Sequence, residues 1–516
     1  SMYPEAGGSS SFARRAFNEF WSFFAAWAQM LNYVVTVAIS AFFVPHYLGG
    51  LFAPIEFLQE SPGDIVFGIG VVVLLCVINI FGAEESAGLN IALAVVDFLT
   101  QLLLVAAGFF LVFSPDTLIN NVDFGIAPTW SDFLLAIPIG MIAYTGIETI
   151  SNMAEEAKDE TKTIPAAINR VQIAVFAIYF TLPAIALSAL PVVRNDAGEY
   201  VTPLGLSEKE GGFAGDPILG VVKAIDLGPL QGPVELYVGL LAATILIIAT
   251  NAGLIGVSRL VYSMGVYRQL PDRLRQLHPK YGTPWVGLIV FGAAACLILI
   301  PGQADFLGLL YAFGAMLSFS IAHLSLIRLR LTKPHFERPY RGPGNRQIRG
   351  RDVPVFAVVG LFGTGLAFVV TVALYLDVAA AGVGWLVLGL GLYMLYRRNQ
   401  GLDLTSTVKV AIPAPVTEHE AEYESILVAY DQHARYQPGA LATAVRLAAR
   451  RRRGIHVLVA ITVPSSSTID AALPEQELAA QAIIEQAKLQ GGRRVSGHWE
   501  KVRAGQAGRL IVNEAR

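Results

Sequence analysis

The sequence predicts a polytopic all-α membrane protein that carries a C-terminal α/β domain on its cytosolic side. Its 516 residues are 54% hydrophobic and only 15% charged, against about 25% charge in a typical soluble domain. Apolar stretches recur through residues 18–397, and about 20 such residues suffice to cross a hydrocarbon core of about 30 Å. After Arg397 and Arg398 the pattern changes to short β-branched runs alternating with helical ones.

Ten stretches qualify as crossings: 18–44, 64–81, 89–113, 131–153, 168–191, 233–258, 285–301, 304–327, 354–376 and 383–397. Loop charge orients them. Residues 259–284 hold Arg259, Arg268, Arg273, Arg275 and Lys280, and residues 328–352 hold eight Lys or Arg. Loops 45–62, 114–130 and 377–382 hold none. Short basic loops stay in the cytoplasm, so both chain ends are expected there, with the protein in the plasma membrane. The domains read as 1–398, a polar linker 399–423, and 424–516. In the last, "SILVAY" (425–430) and "IHVLVAITV" (455–463) read as buried strands, with helices at 438–452 and 475–490. Strand–helix alternation of this kind predicts a parallel sheet.

A net charge of −3 argues against nucleic acid as a partner. Cys76 and Cys296 both lie in apolar runs, where a thiol acts as a small hydrophobe. There is no Ser/His/Asp arrangement, metal-ligand spacing or phosphate loop, so neither an enzyme nor a resident metal or cofactor is expected.

The fourth stretch carries the functional signal. It reads "DFLLAIPIGMIAYTGIETISN" (132–152). Pro138 removes a backbone donor, Gly140 and Gly146 loosen the helix, and Tyr144, Thr145 and Glu148 supply polar groups. At 1.5 Å per residue, Tyr144 lies about 20 Å from Ser131, beyond mid-bilayer. Broken helices are tolerated at that depth only beside protein or a water-filled cavity. Peptide groups bared there suit solute or ion binding, and a carboxylate within a span is functional by default. The bland alternative is a proline kink with Glu148 bonded to a neighbouring helix.

Several quoted segments resemble one family. "YTGIETISNMAEEAKDETKTIPAAI" (144–168), "ATNAGLIGVSRLVYSMGVYRQLPDRLRQLHPKYGTPW" (249–285) and "FERPYRGPG" (336–344) are similar to signatures of the amino acid–polyamine–organocation (APC) transporters. The resemblance implies a LeuT/APC-type inverted-repeat fold whose ten spans correspond to family helices three to twelve. Helix one and most of helix two are then missing, and the chain is expected to be truncated at both ends. The resemblance also implies secondary active transport of amino acids or related amines, coupled to H⁺ or Na⁺, with the solute held at Tyr144, Thr145, Gly146, Ile147 and Glu148. Tyr33, Thr36 and Ser40 share a helical face and either line that cavity or bond to neighbouring helices. Glu148, Asp97, Thr250 and Asn251 are the ion-coupling candidates. Asp97 stands equally as a solvated residue near the inner end, and Asn251 with Gly253 as a close-packing pattern. His323 reads as a packed residue.

The alternative function is uptake of potassium or another inorganic cation, regulated by the tail. Oxygens of Tyr33, Thr36, Ser40 and Glu148 would then be ligands, as suits a hard cation. Residues 425–464 resemble the opening of a universal stress protein domain, in which Asp431 would contact adenine. The phosphate-holding loop of that family has no match here, so nucleotide is expected only in an intact domain. The tail also offers a route to a homodimer.

Overall fold

A computed structural model describes residues 7–515, except 83–86, 124, 127, 145, 147–149, 151–159, 196–197, 337, 339, 343, 349–350, 411–424, 432–435, 450–453, 465–468, 493–494 and 504. Two compact units result, Ser1–Ala411 and Ile412–Arg516.

The first unit is helical: α1 (Ser9–Ala16), α2 (Glu19–Gly49), α3 (Gly63–Phe81), α4 (Ala87–Leu111), α5 (Pro115–Asn121), α6 (Trp130–Gly140), α7 (Glu160–Ala189), α8 (Pro217–Ala224), α9 (Gln231–Val266), α10 (Trp285–Leu299), α11 (Ala304–Thr332), α12 (Val355–Leu374) and α13 (Leu376–Asn399). Two small antiparallel hairpins, β1 (Val193–Arg194) with β2 (Tyr200–Val201) and β3 (Asn345–Ile348) with β4 (Arg351–Pro354), lie in loops. Among the described residues, eight helices are long and apolar enough to cross a membrane.

The 285–301 stretch gives α10 from Trp285 to Leu299, within two residues of the expectation. One expected crossing differs. The 131–153 stretch gives α6, 11 residues long, with Pro138 inside its last turn. The proline supplies no N–H and crowds the preceding turn, and after Gly140 the chain passes into a 3₁₀ turn, Met141–Tyr144.

Helix α2 forms the axis of this unit. Asn18 caps it by accepting from the Trp21 N–H at 3.2 Å, and Glu19 places a carboxylate at its positive end. Its apolar side chains run all round rather than along one stripe, the pattern of a central helix. It packs against α1, α3, α9 and α11. Small residues allow the close approach. A Cβ on Gly253 would lie 2.8 Å from Val37, and one on Gly314 2.9 Å from the Ala28 carbonyl oxygen. Trp27 and Trp385 stack at 4.8 Å. Each indole N–H donates to the other's backbone carbonyl, at 2.8 and 3.0 Å, which pins α13 to α2.

The second unit is a parallel sheet in the order β5 (Ser425–Asp431), β6 (Gly454–Val463), β7 (Val495–Arg503), with α14 (Pro438–Ala449), α15 (Pro474–Gly491) and α16 (Ala507–Glu514). Ile455, Val457, Val459 and Ile461 alternate along β6 toward one face, where Leu441, Ala444, Ala480 and Ile484 complete a core. Helix α16 packs back on β6 and β7.

Candidate functional site

The break in α6 is built from its ends inward. Thr129 and Asp132 form a reciprocal cap: the Thr129 hydroxyl oxygen accepts from the Asp132 N–H at 3.2 Å, and the Asp132 carboxylate accepts from the Thr129 N–H at 3.3 Å. After Gly140 the chain tightens into a 3₁₀ turn, Met141–Tyr144. Gly146 follows at φ +94°. It is exposed, and among the described residues no atom lies within 4 Å of where its Cβ would be. Further along the chain α7 spans Glu160–Ala189. Thr145, Ile147 and Glu148 lie outside the described residues, and so does the Tyr144 side chain.

The turn is seated between two helices. Ile142 comes 2.9 Å from the Cβ position of Gly308 on α11, and Ile39 of α2 lies 3.9 Å from that same position. The turn therefore approaches α2 through an apolar side chain, Ile39, which flanks Thr36 on the helix surface. Tyr375 donates its hydroxyl to the Leu135 carbonyl at 3.2 Å and ties α6 to the start of α13.

On the polar face of α2, Tyr33 and Ser40 are buried and Thr36 is half-buried. The Gln29 amide donates to the Tyr33 hydroxyl at 3.1 Å, Ser9 donates to Gln29 Oε1 at 3.0 Å, and the Ser9 and Ser318 hydroxyls pair at 2.7 Å. This chain joins α1, α2 and α11. The Tyr33 ring fills the space above Gly256, 2.8 Å from that residue's Cβ position. Thr36 bonds back to the Asn32 carbonyl at 2.9 Å.

Other sequence candidates make their bonds elsewhere. Asn79 on α3 donates to Asn251 Oδ1, and Thr250 bonds back to the Leu246 carbonyl at 2.8 Å. Asp97 accepts from Gln101 at 2.7 Å on its own helix, which packs on α7 and α9. The His323 ring fills the gap over Gly360. Asp431 ends β5 in the second unit, opposite Ala460.

Two buried polar clusters escape sequence reading. At one end of α2, Arg14 pairs with Glu19 at 3.0 Å, and Gln269 donates to Glu19 Oε1 and to Ser22 Oγ. Glu19, Ser22 and Gln269 are each 0% exposed. The Arg14 guanidinium stacks 3.4 Å from the Tyr267 ring centroid. Beside this cluster, Arg397 donates to the carbonyls of Asp403 and Ser406. The chain beyond α13 is thereby strapped down, with Glu19 N–H to Thr405 O at 3.3 Å and Val410 N–H to Val266 O at 2.8 Å. The Thr405 hydroxyl and N–H hold the Asp403 carboxyl below its ordinary value. At the other end of α2, Asp216, Asp64 and His46 are buried. Burial raises the Asp216 carboxyl to about 6, Lys223 opposing and Glu208 reinforcing the shift. The available signal was a charged residue, Glu19, opening an otherwise apolar helix.

Spanning helices packed about a central helix, with a helix that breaks off at Gly140 packed on α11 and α12, fit a multi-pass membrane transporter. The chain belongs to the amino acid permease family, whose model matches residues 1–395. It is similar to the branched-chain amino acid permease BcaP of Bacillus subtilis, 25% identical over 77% of this chain and 81% of that protein. It is also similar to the human cystine/glutamate transporter, 25% identical over 74% and 70%, and to the serine/threonine exchanger SteT of Bacillus subtilis, 24% identical over 77% and 82%. These relatives are permeases and transporters, not enzymes.

Proposed function

We propose that the protein is a secondary active transporter of amino acids or related amines, built on a LeuT-type inverted repeat and driven by H⁺ or Na⁺. One observation carries the reading: α6 stops at Gly140 and passes into a 3₁₀ turn, and Gly146 turns the backbone at φ +94°. Peptide N–H groups released from a helix attract a carboxylate, and released carbonyls attract an ammonium or a cation. An amino acid presents both charges. Tyr144, Thr145, Gly146 and Ile147 would meet them, with Tyr33, Thr36 and Ser40 on the opposite wall and Glu148 as the titratable group for coupling. Rocking of α6 and its partners against the rest would expose the site alternately. The sealed Arg14–Glu19–Gln269 cluster would close the cytoplasmic end. The names of the relatives favour amino acids over inorganic cations. The positive loops favour cytoplasmic termini in the plasma membrane.

Proteoliposomes containing the purified protein should accumulate one or more labelled amino acids under an imposed proton or sodium gradient. Gly146→Ala places a Cβ on a positive-φ residue at a cost of about 1–2 kcal/mol. If the break binds solute, uptake falls roughly tenfold while the detergent-solubilised protein keeps its elution profile. Full uptake by this variant, or rubidium uptake without any amino acid uptake, would overturn the reading.

A further inference from the structure

The second unit gathers three metal-ligand side chains that no short motif announces. His456 lies on β6 and His498 on the neighbouring β7. The register pairs His456 with Ser496, so His498 is two residues further on and projects from the same face. Helix α16 returns over that face and brings Glu514 from its last turn. His456 Nε2 lies 2.9 Å from His498 Nδ1 and 3.7 Å from Glu514 Oε1. One donor atom of each of the three residues falls within 4.8 Å of the others.

We propose that His456, His498 and Glu514 form a divalent transition-metal site, best suited to zinc. Ligand bonds of about 2.0–2.1 Å in a tetrahedron put neighbouring donors about 3.4 Å apart, and the observed separations bracket that spacing. A second contact orients the first ligand: His456 Nδ1 bonds the Ser496 hydroxyl at 2.8 Å. With Nδ1 donating there, the Nε2 lone pair faces His498 and Glu514, the arrangement in which an outer partner fixes the tautomer of a metal-binding histidine. Two nitrogens and one carboxylate oxygen suit zinc, cobalt or nickel better than calcium or magnesium. The side chains of His456 and Glu514 are 28% and 35% exposed, so an ion has access and a water can take the fourth position. The site also has a mechanical use. No residue of α16 is fully buried, and a metal joining Glu514 to two strands would fasten this weakly packed helix to the sheet.

The test uses the full chain, purified in detergent without a histidine tag and stripped with a chelator. Zinc is titrated in competition with a chromophoric indicator. One equivalent should bind with micromolar affinity or tighter. His498→Ala and Glu514→Gln should each weaken that equivalent by at least about tenfold, and Ser496→Ala by about tenfold. His335→Ala, at an exposed histidine in the first unit, should change nothing. Absence of a micromolar equivalent, or one untouched by His498→Ala and Glu514→Gln, overturns the proposal. The readout is independent of transport.

Discussion

Replacing Asp216 by asparagine should stabilise the protein at neutral pH and flatten its acid dependence. Asp216 precedes α8, is 1% exposed, and its Oδ1 has no hydrogen-bond partner among the described residues. Its carboxyl is raised from 3.8 to about 6, chiefly by burial, with Lys223 opposing and Glu208 adding to the rise. The His46 ring and Glu208 Oε1 crowd Gly215 just before it. Between about pH 4 and 6 the folded state therefore binds more protons than the unfolded one, and stability falls as pH rises through that window. At about 1.36 kcal/mol per unit, the full cost above pH 6 is about 3 kcal/mol. With an unfolding entropy of roughly 2.1 cal/mol/K per residue over a unit of about 400 residues, that corresponds to about 3.5 °C. Tryptophan-fluorescence melts in detergent, run at one scan rate, should show Asp216→Asn about 3.5 °C or more above wild type at pH 7 and level with it near pH 4. A variant that melts lower than wild type at pH 7, or one offset equally at both pH values, would refute the assignment of Asp216 as a penalised buried carboxylate.

Glu19→Ala leaves Arg14 buried without its carboxylate and removes an acceptor from Gln269. Loss of one member of such a pair costs about 3–5 kcal/mol, and a sharp drop in monodisperse yield on size exclusion should follow. Gly314→Ala pushes a methyl within 2.9 Å of the Ala28 carbonyl oxygen and 3.2 Å of the Asn32 nitrogen, both backbone atoms. With no flexible neighbour to yield, the α2–α11 seam must open, and the melting temperature should fall by the equivalent of about 1–3 kcal/mol.

Most membrane helices were legible because long apolar runs have few alternative explanations. One was overestimated, because hydropathy does not register where α-helical bonding stops. Helix α6 gives way to a 3₁₀ turn after Gly140, well before residue 153, whereas the 285–301 stretch was read to within two residues of α10. The interruption at Gly146 was readable from the glycine and proline spacing, and the shared face of Tyr33, Thr36 and Ser40 from helical periodicity. The bonds these side chains make were not. Asn251 accepts a hydrogen bond from Asn79, and that partner stands on a helix remote in sequence. Arg14, Glu19 and Gln269 belong to one buried cluster, yet Gln269 is remote in sequence from the other two. His456, His498 and Glu514 sit on three separate elements, so only the sheet register and the returning helix bring them together.

The strap beyond the last helix has a mechanical consequence. An ordinary tether would start to give at Asn399, where α13 ends. Here Arg397 clamps the following residues, and Val410 is still fastened to Val266 at the end of α9. Tension applied to the linker would therefore be delivered to the helix that bears Thr250 and Asn251, instead of being lost as slack.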